Sequence, residues 1–387
     1  MQKAFKYRLY PNKEQRKALF SIFKFCRFLY NSALQERISY YKTYGKSISY
    51  NTQAAYLPEI KEELKKELKD KDKDKKYDIY SQTFQQTLKQ VDSAYTNFFR
   101  RVKSKSSKAG FPRFKNSDRF RSICFPQIKP DASAGGIKLK NNNLKVFGVK
   151  GDIEVVYHRP IEGIAKQARI VKQNDQFYLV ITCDNIPIKP VAKTGKIIAI
   201  DLGLISFATL DDGTLFHHPK PYKTAKEKLA YQQRKLALKQ KGSNNRNKQK
   251  KLIGKTYQKI TNIREDFQHN LSKKLIRDYD KIIVEDLNIK NMLEAKGFEV
   301  NKSNIQDASW GKFIEKLTYK AESADKLIVK VNPRNTSKMC SKCGKINKKL
   351  ALADRTYKCE ACGFTTDRDI NAAKNIRTLG TSVAIIK

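Results

Sequence analysis

The sequence predicts three kinds of structure in one chain: a helical segment, a small antiparallel β-unit, and an α/β layer interrupted by a four-cysteine metal site. Three observations carry this. Apolar residues recur at three- and four-residue steps from Asn12 to about Phe99. Short alternating runs divided by turn signals fill residues 122–190. From Lys196 the apolar runs KIIAIDL, KIIVEDL and LIVKVNP alternate with helical stretches, the pattern of a layered α/β unit.

In chain order, residues 1–10 alternate as a strand (Phe5, Tyr7, Leu9) that stops at Pro11 and can complete the β-unit. Leu19, Phe23, Cys26 and Tyr30 then form the core face of an amphipathic helix. Lys61 to Lys76 holds eight lysines and six acids, so it reads as a solvated helix or loop and not as a phosphate track. Arg100 to Arg121 is different, with nine basic residues, one acid, Phe111, Phe114 and Phe120, and breaks at Gly110 and Pro112. Cations beside aromatic faces suit a nucleic-acid surface, although phenylalanines can equally anchor a loop to a core. The runs IKLK, LKVFGV, IEVVYH, ARIVKQ and FYLVITC, parted by Asn-Asn-Asn, Gly-Asp and Asn-Asp, predict a small antiparallel barrel, and Pro187 and Pro190 close it. Beyond the KIIAIDL strand and a hairpin through ISFATLDDGTLF, Lys223 to Lys255 carries twelve basic residues and one acid. Gly242-Ser243-Asn244-Asn245 breaks that stretch into a helical hairpin.

The charge balance narrows the partners. Eighty Lys plus Arg against 38 Asp plus Glu give +42, a density that repels itself unless a polyanion neutralises it. Nucleic acid is the natural partner, because phosphate contacts release condensed counterions. A membrane is not expected: the opening MQKAFKYRLYPNKEQ is polar and basic, and no apolar run approaches the ~20 residues a span needs. Candidate nucleic-acid contacts are Arg100, Arg101, Arg113, Lys115, Arg121, Arg246, Lys250 and Lys251, with Gln82, Gln85 and Gln86 as candidate base readers.

The cysteines give the most specific spacing. Cys340-x2-Cys343 and Cys359-x2-Cys362 match paired knuckles around a tetrahedral Zn²⁺, with Gly344 and Gly363 placed for the tight turns. Four protein ligands close the coordination sphere, so this zinc is expected to be structural. Cys26, Cys124 and Cys183 stand alone in apolar surroundings and read as buried thiols. Asp201 and Glu285 each close an apolar strand, where a carboxylate needs a partner, often a metal. Gly203 would let a ligand approach the backbone beside Asp201. Asp367 and Asp369 precede INAAKNI, a short helix that Gly380 could end. Three carboxylates from two strand ends and a helix start can hold two Mg²⁺ ions, a hard cation that prefers oxygen.

AIDLGLISFAT, the segment from SNNRNKQKK to HNLSKKL, VEDLNIKNM, DASWGKF, TSKMCSKCG and CGFTTDRDINAAKNI together resemble TnpB, an insertion-sequence protein similar to the ancestors of type V CRISPR effectors. GFPRFK (Gly110 to Lys115) resembles a further TnpB hallmark, and residues 11–100 match least. The resemblance implies an RNase H-like (RuvC) nuclease domain over 191–335 and 365–387, with a zinc insert at 336–364. It also implies a helical lobe over 11–120 and a β-barrel from 1–10 and 121–190. It implies catalytic Asp201, Glu285 and Asp369, with Asp367 the alternative third acid, and the four cysteines as zinc ligands. The implied activity is Mg²⁺-dependent cleavage of double-stranded DNA beside a short flanking motif, directed by a transposon-derived guide RNA, in a cytoplasmic monomer carrying one RNA. Three rivals are a silent RNA-guided binder, a transposase or transposition accessory, and a zinc-containing RNA-binding protein. The first lacks support because all three acids are present. Adjacent His217 and His218 do not form the His-hydrophobic-His metal pair of single-strand transposases, and the third rival leaves Asp201 and Glu285 without a role.

Overall fold

The alternation of the first ten residues makes strand β1 (Lys3–Tyr10), whose Phe5, Tyr7 and Leu9 are all buried. The computed structural model describes residues 1–71, 79–104, 109–128, 135–294, 302–351 and 354–382, in two units, Met1–Pro187 and Ile188–Lys387. In the first unit β1 lies inside an antiparallel sheet of order β2-β6-β7-β1-β5-β4-β3. The other strands are β2 (Ser122–Phe125), β3 (Ile137–Lys140), β4 (Asn143–Val146), β5 (Ile153–Val156), β6 (Ile164–Gln173) and β7 (Gln176–Asp184). The sheet curls nearly into a barrel: a Cβ added to Gly136, just before β3, would meet Phe125 of β2 at 2.7 Å.

Helices α1 (Lys13–Tyr44), α2 (Tyr50–Ala55), α3 (Leu57–Lys71) and α4 (Ser81–Lys103) belong to the same unit. Asn12 starts α1 with a reciprocal cap, its Oδ1 accepting from Gln15 N at 2.9 Å while Gln15 Oε1 accepts from Asn12 N at 3.0 Å. Helix and sheet share one continuous core. Phe23 of α1 packs against Phe177 of β7 and against Phe120. This corrects one expectation, since Phe120 is 3 % exposed and fills the core between Phe23 and Tyr30 instead of offering a stacking face. Cys26, Cys124 and Cys183 are buried, and burial pushes the Cys26 thiol up to about 12. Within the charged Lys61–Lys76 stretch α3 extends to Lys71, and residues 72–78 lie outside those described.

The second unit is an α/β layer. Its sheet runs β10 (Leu215–Phe216), β9 (Ala208–Leu210), β8 (Ile197–Asp201), β11 (Lys281–Glu285), β12 (Leu327–Val331), with β8, β11 and β12 parallel. Alternation along these strands separates two faces. Ile198, Ile200, Ile282 and Val284 pack with residues of α6 (Asn244–Asp278) and α9 (Trp310–Ala324). Ala199, Ile283 and Val331 pack with Ile376 of α10 (Arg368–Ser382). Helix α5 (Pro221–Ala237) pairs with α6 as the expected hairpin, Ser243 capping α6 through Arg246 N at 3.1 Å. Short α7 (Ile289–Glu294) and α8 (Lys302–Ala308) lead to α9, and β13 (Thr356–Lys358) pairs with β14 (Thr365–Asp367) before α10. Gly380 does not end α10. It lies within the helix, where a Cβ would stand 2.2 Å from Ile283 Cγ2, so glycine here lets helix and sheet approach closely.

Candidate active site and metal centre

Asp201 is the last residue of β8 and Glu285 the last of β11. The register pairs Ile200 with Val284, so the two acids follow side by side at the carboxyl ends of neighbouring parallel strands. In open α/β sheets that edge is where ligands bind. Both acids continue the odd-numbered row that faces α10, and Asp369 lies in the first turn of that helix. Asp201 is 9 % exposed and Glu285 8 %. Burial, then the negative charges of Glu285 and Asp369, hold the Asp201 carboxyl well above the usual carboxylate range. Burial also raises Glu285, opposed by the Thr336 hydroxyl, which donates to Glu285 Oε1. Asp369 is raised by burial and by Asp367, while Arg355 stands 4.0 Å away.

The two candidates for the third acid have different surroundings. Asp367 is exposed, and its Oδ1 accepts from the amides of Asp369 at 2.8 Å and Ile370 at 3.1 Å, so it caps α10. Asp369 is half-buried and faces Gly203: a Cβ on Gly203 would lie 4.0 Å from Asp369 Oδ2 and 2.9 Å from Ser206 O. The set offers hard oxygen donors and repels itself without a cation, which suits a hard divalent cation.

The cysteine cluster closes tightly, all four sulfurs lying within 4.8 Å of one another. Cys340 Sγ is 3.7 Å from Cys362 Sγ, and Cys343 Sγ is 3.6 Å from Cys359 Sγ. A tetrahedral zinc with Zn–S bonds near 2.3 Å needs sulfurs about 3.8 Å apart, so the set fits zinc. Gly344 (φ 78°) and Gly363 (φ 67°) make the knuckle turns, donating to Cys340 O and Cys359 O. The backbone amides of Cys362 and Ala361 lower the Cys359 thiol, towards the thiolate a metal requires, while, against the Phe364 amide, burial and the neighbouring sulfurs raise that of Cys362. Tyr357, fully buried, packs between the knuckles and donates to Lys338 O at 3.2 Å.

Two asparagines that carried no signal in the sequence tie this cluster to α10. Asn371 Nδ2 donates to Met339 O at 2.7 Å while its Oδ1 accepts from Ser341 N at 3.0 Å. Asn375 Nδ2 donates to Thr336 O at 2.8 Å and to Met339 O at 2.7 Å. Both are at most 1 % exposed. Spaced four apart on one helix face, they clamp the first knuckle against the helix that presents Asp369, while Thr336 in the same segment holds Glu285.

The basic candidates divide. Arg100, Arg113, Lys250 and Lys251 are exposed. Arg121 is exposed with Nε donating to Asp118 O. Arg101 holds the carbonyls of Ala109 and Gly110. Lys115 is half-buried over the Tyr30 ring at 3.8 Å, and burial lowers it. Arg246 caps the end of α5 through Leu236 O at 2.6 Å and Lys239 O at 2.9 Å. On α4, Gln85 is exposed while Gln82 and Gln86 are half-buried.

A family described as "Probable transposase" matches residues 171–296, a "Cas12f1-like, TNB domain" matches 310–376, and a "Helix-turn-helix domain" matches 1–46. In this chain the last of these stretches is β1 and one 32-residue helix. "Putative RNA-guided DNA endonuclease InsQ" of Escherichia coli K12 is 30 % identical over 98 % of this chain and 92 % of its own length. A protein of the same description from Streptomyces pristinaespiralis is 30 % identical over 98 % and 90 %. The "CRISPR-associated endodeoxyribonuclease Cas12f1" of Sulfoacidibacillus thermotolerans is 28 % identical over 53 % and 50 %. Among solved structures, the fold resembles Cas12f1 in a complex with sgRNA and target DNA, with TM-score 0.54 and 14 % identity over 97 % and 98 % of the two chains.

Proposed function

The chain belongs to the TnpB-like family of RNA-guided DNA endonucleases, and from that membership we propose that it carries a transposon-derived guide RNA and cuts double-stranded DNA that pairs with it, beside a short flanking motif. The observation that carries the reading is the convergence of Asp201, Glu285 and Asp369 at one sheet end, inside a protein of net charge +42. A buried anionic cluster in so basic a chain makes physical sense around cations and a polyanionic substrate.

We read the second unit as a RuvC-like nuclease. Asp201, Glu285 and Asp369 would hold two Mg²⁺ ions, which when bound supply a metal-activated hydroxide and stabilise charge on the phosphate. The chain's own residues prepare that site. Thr336 donates to one oxygen of Glu285 and so fixes the carboxylate, leaving the second oxygen for a ligand. Asp367 caps α10 and thereby sets the direction of Asp369, two residues on. Gly203 keeps the space between the Asp201 loop and Asp369 clear of a side chain, so a phosphate can come close. The zinc knuckles hold α10 in register through Asn371 and Asn375. Sequence recognition is delegated to base pairing, so the exposed arginines and lysines need only track backbones.

The test copurifies the protein with its RNA, sequences that RNA, and offers matching DNA beside a library of flanking motifs with Mg²⁺. Cleavage by the wild type and its loss in Asp201→Ala are expected. No cutting by the wild type, or undiminished cutting by the variant, overturns the nuclease assignment. Cutting that persists with RNA removed overturns the guided mechanism.

A further inference from the structure

The first unit contains a pocket of about 600 Å³ that the nuclease reading leaves unused, between the end of α1, the second half of α4 and the GFPRFK segment. Aromatic side chains form its walls. Tyr95, Phe98 and Phe111 pack edge to face, with ring centroids 5.7 Å and 5.3 Å from Phe111. Tyr41, Phe99 and Phe111 leave 63 %, 54 % and 48 % of their surface open. Exposed aromatics gathered at one cavity mark a binding surface, where scattered ones would need no explanation. Phe111 is not there by chance of a loose loop. Arg101 grips the carbonyls of Ala109 and Gly110, and Gly110 turns the chain at φ 60° immediately before it.

One lining residue points to the ligand. Arg37 is 8 % exposed, with Nε donating to Gln53 Oε1 at 2.8 Å and Nη1 to Asp92 Oδ1 at 3.1 Å. Its Nη2 is buried and without a hydrogen-bond partner among the described residues, and the guanidinium carbon lies 5.6 Å from the centre of the Tyr95 ring, one of the pocket's walls. Aromatic faces for stacking, with a fixed donor beside them, are the chemistry that receives a nucleobase. An aliphatic ligand would leave the Arg37 and Lys42 cations of the same lining without a match.

We propose that this pocket receives an unpaired base of RNA, stacked on Phe99 and Phe111 beside the Arg37 guanidinium. RNA is favoured because folded RNA displays splayed bases in loops and bulges from the start, whereas DNA offers unpaired bases only once its duplex has been opened. The occupant rests on the guide-RNA reading above, but the pocket's preference for bases can be measured without any cleavage.

The experiment uses the full-length chain freed of RNA by high salt, and measures binding of a fluorescent twelve-nucleotide polyadenylate RNA, its abasic ribose-phosphate counterpart, and the DNA of the same sequence. Phe99 and Phe111 are half-exposed, so Phe99→Leu/Phe111→Leu removes stacking faces while keeping the fold. The double variant is expected to bind the RNA about tenfold more weakly, within the range alanine substitution gives for base–aromatic stacking, and to bind the abasic strand as the wild type does. Unchanged RNA affinity, or equal weakening on the abasic strand, overturns the pocket. A larger loss on the DNA than on the RNA overturns the choice of RNA. Retained base-dependent binding in a chain that fails to cut would sink the nuclease and leave the pocket standing.

Discussion

Replacing Gly380 by alanine tests how closely α10 must approach β11. The added Cβ would stand 2.2, 2.8 and 2.9 Å from three atoms of Ile283, which is fully buried in β11 between two parallel neighbours and cannot turn aside. Overpacking of this kind costs about 1–3 kcal/mol, and the severity of the contact argues for the upper end. Alanine returns about 1 kcal/mol of helix propensity, leaving a net loss of about 2 kcal/mol. Ile283→Ala alone should cost about 2–5 kcal/mol through its cavity. In that background Gly380→Ala should turn neutral or mildly stabilising, because the space it needs has been opened. The expected coupling of about 2–3 kcal/mol far exceeds the few tenths by which independent sites deviate from additivity. Trp310 is the sole tryptophan and is buried in the second unit, so its fluorescence reports unfolding of that unit alone. Because α10 carries Asp369 and β11 carries Glu285, cleavage by Gly380→Ala should fall as well. Additive free energies in the double variant would refute the packing argument.

Cys343→Ser should remove the bound zinc, measured as metal per chain, and lower the Trp310 unfolding midpoint; unchanged zinc content would refute the assigned ligand set. Thr336→Val removes the hydroxyl that holds the Glu285 carboxyl down, so that pKa should climb further. The alkaline side of activity is where Glu285 stays ionised, so the cleavage optimum should move to higher pH, with roughly a tenfold loss at neutrality, the lower end for a group that orients a metal-binding side chain. Asp280 accepts from the amides of Thr194 and Gly195 and from Lys326, and these donors, Lys326 first, pull its pKa down. A folded pKa below the unfolded value of about 3.9 gives stability that is present above that value and lost as pH falls through the folded one. Urea midpoints of wild type and Asp280→Asn should therefore differ at pH 7 and converge towards pH 2; a constant gap would refute the linkage.

Much of this site was legible because its signals are local. Two acids closing apolar strands, and two pairs of cysteines at knuckle spacing, each follow from a few neighbouring residues. The choice between Asp367 and Asp369 was not, since both precede the same helix and only the packing makes one a cap and the other an inward carboxylate. Thr336, Asn371 and Asn375 gave no signal because their roles depend on partners 30 to 51 residues away. Gly380 was read as a helix stop by its usual preference, and close packing against Ile283 overrode that preference. Phe120 looked like its neighbours Phe111 and Phe114, yet the core around Phe23 and Tyr30 took it. Composition records that aromatics accompany lysines; only three-dimensional packing records which rings remain outside.

The position of β1 has a consequence for how the protein is made. Strand β1 leaves the ribosome well before the two strands that flank it in the sheet, β5 and β7, with Leu9 opposite Val155 and Lys3 opposite Cys183. At translation rates of about 5–20 residues per second, β1 must wait roughly ten seconds or longer for its second partner. During that interval at least one backbone edge of a strand with one apolar face is open to pairing with other chains. Yield in cells should therefore hinge on the elongation rate across the 170 residues or so that separate β1 from β7, a stretch far from every atom that does chemistry.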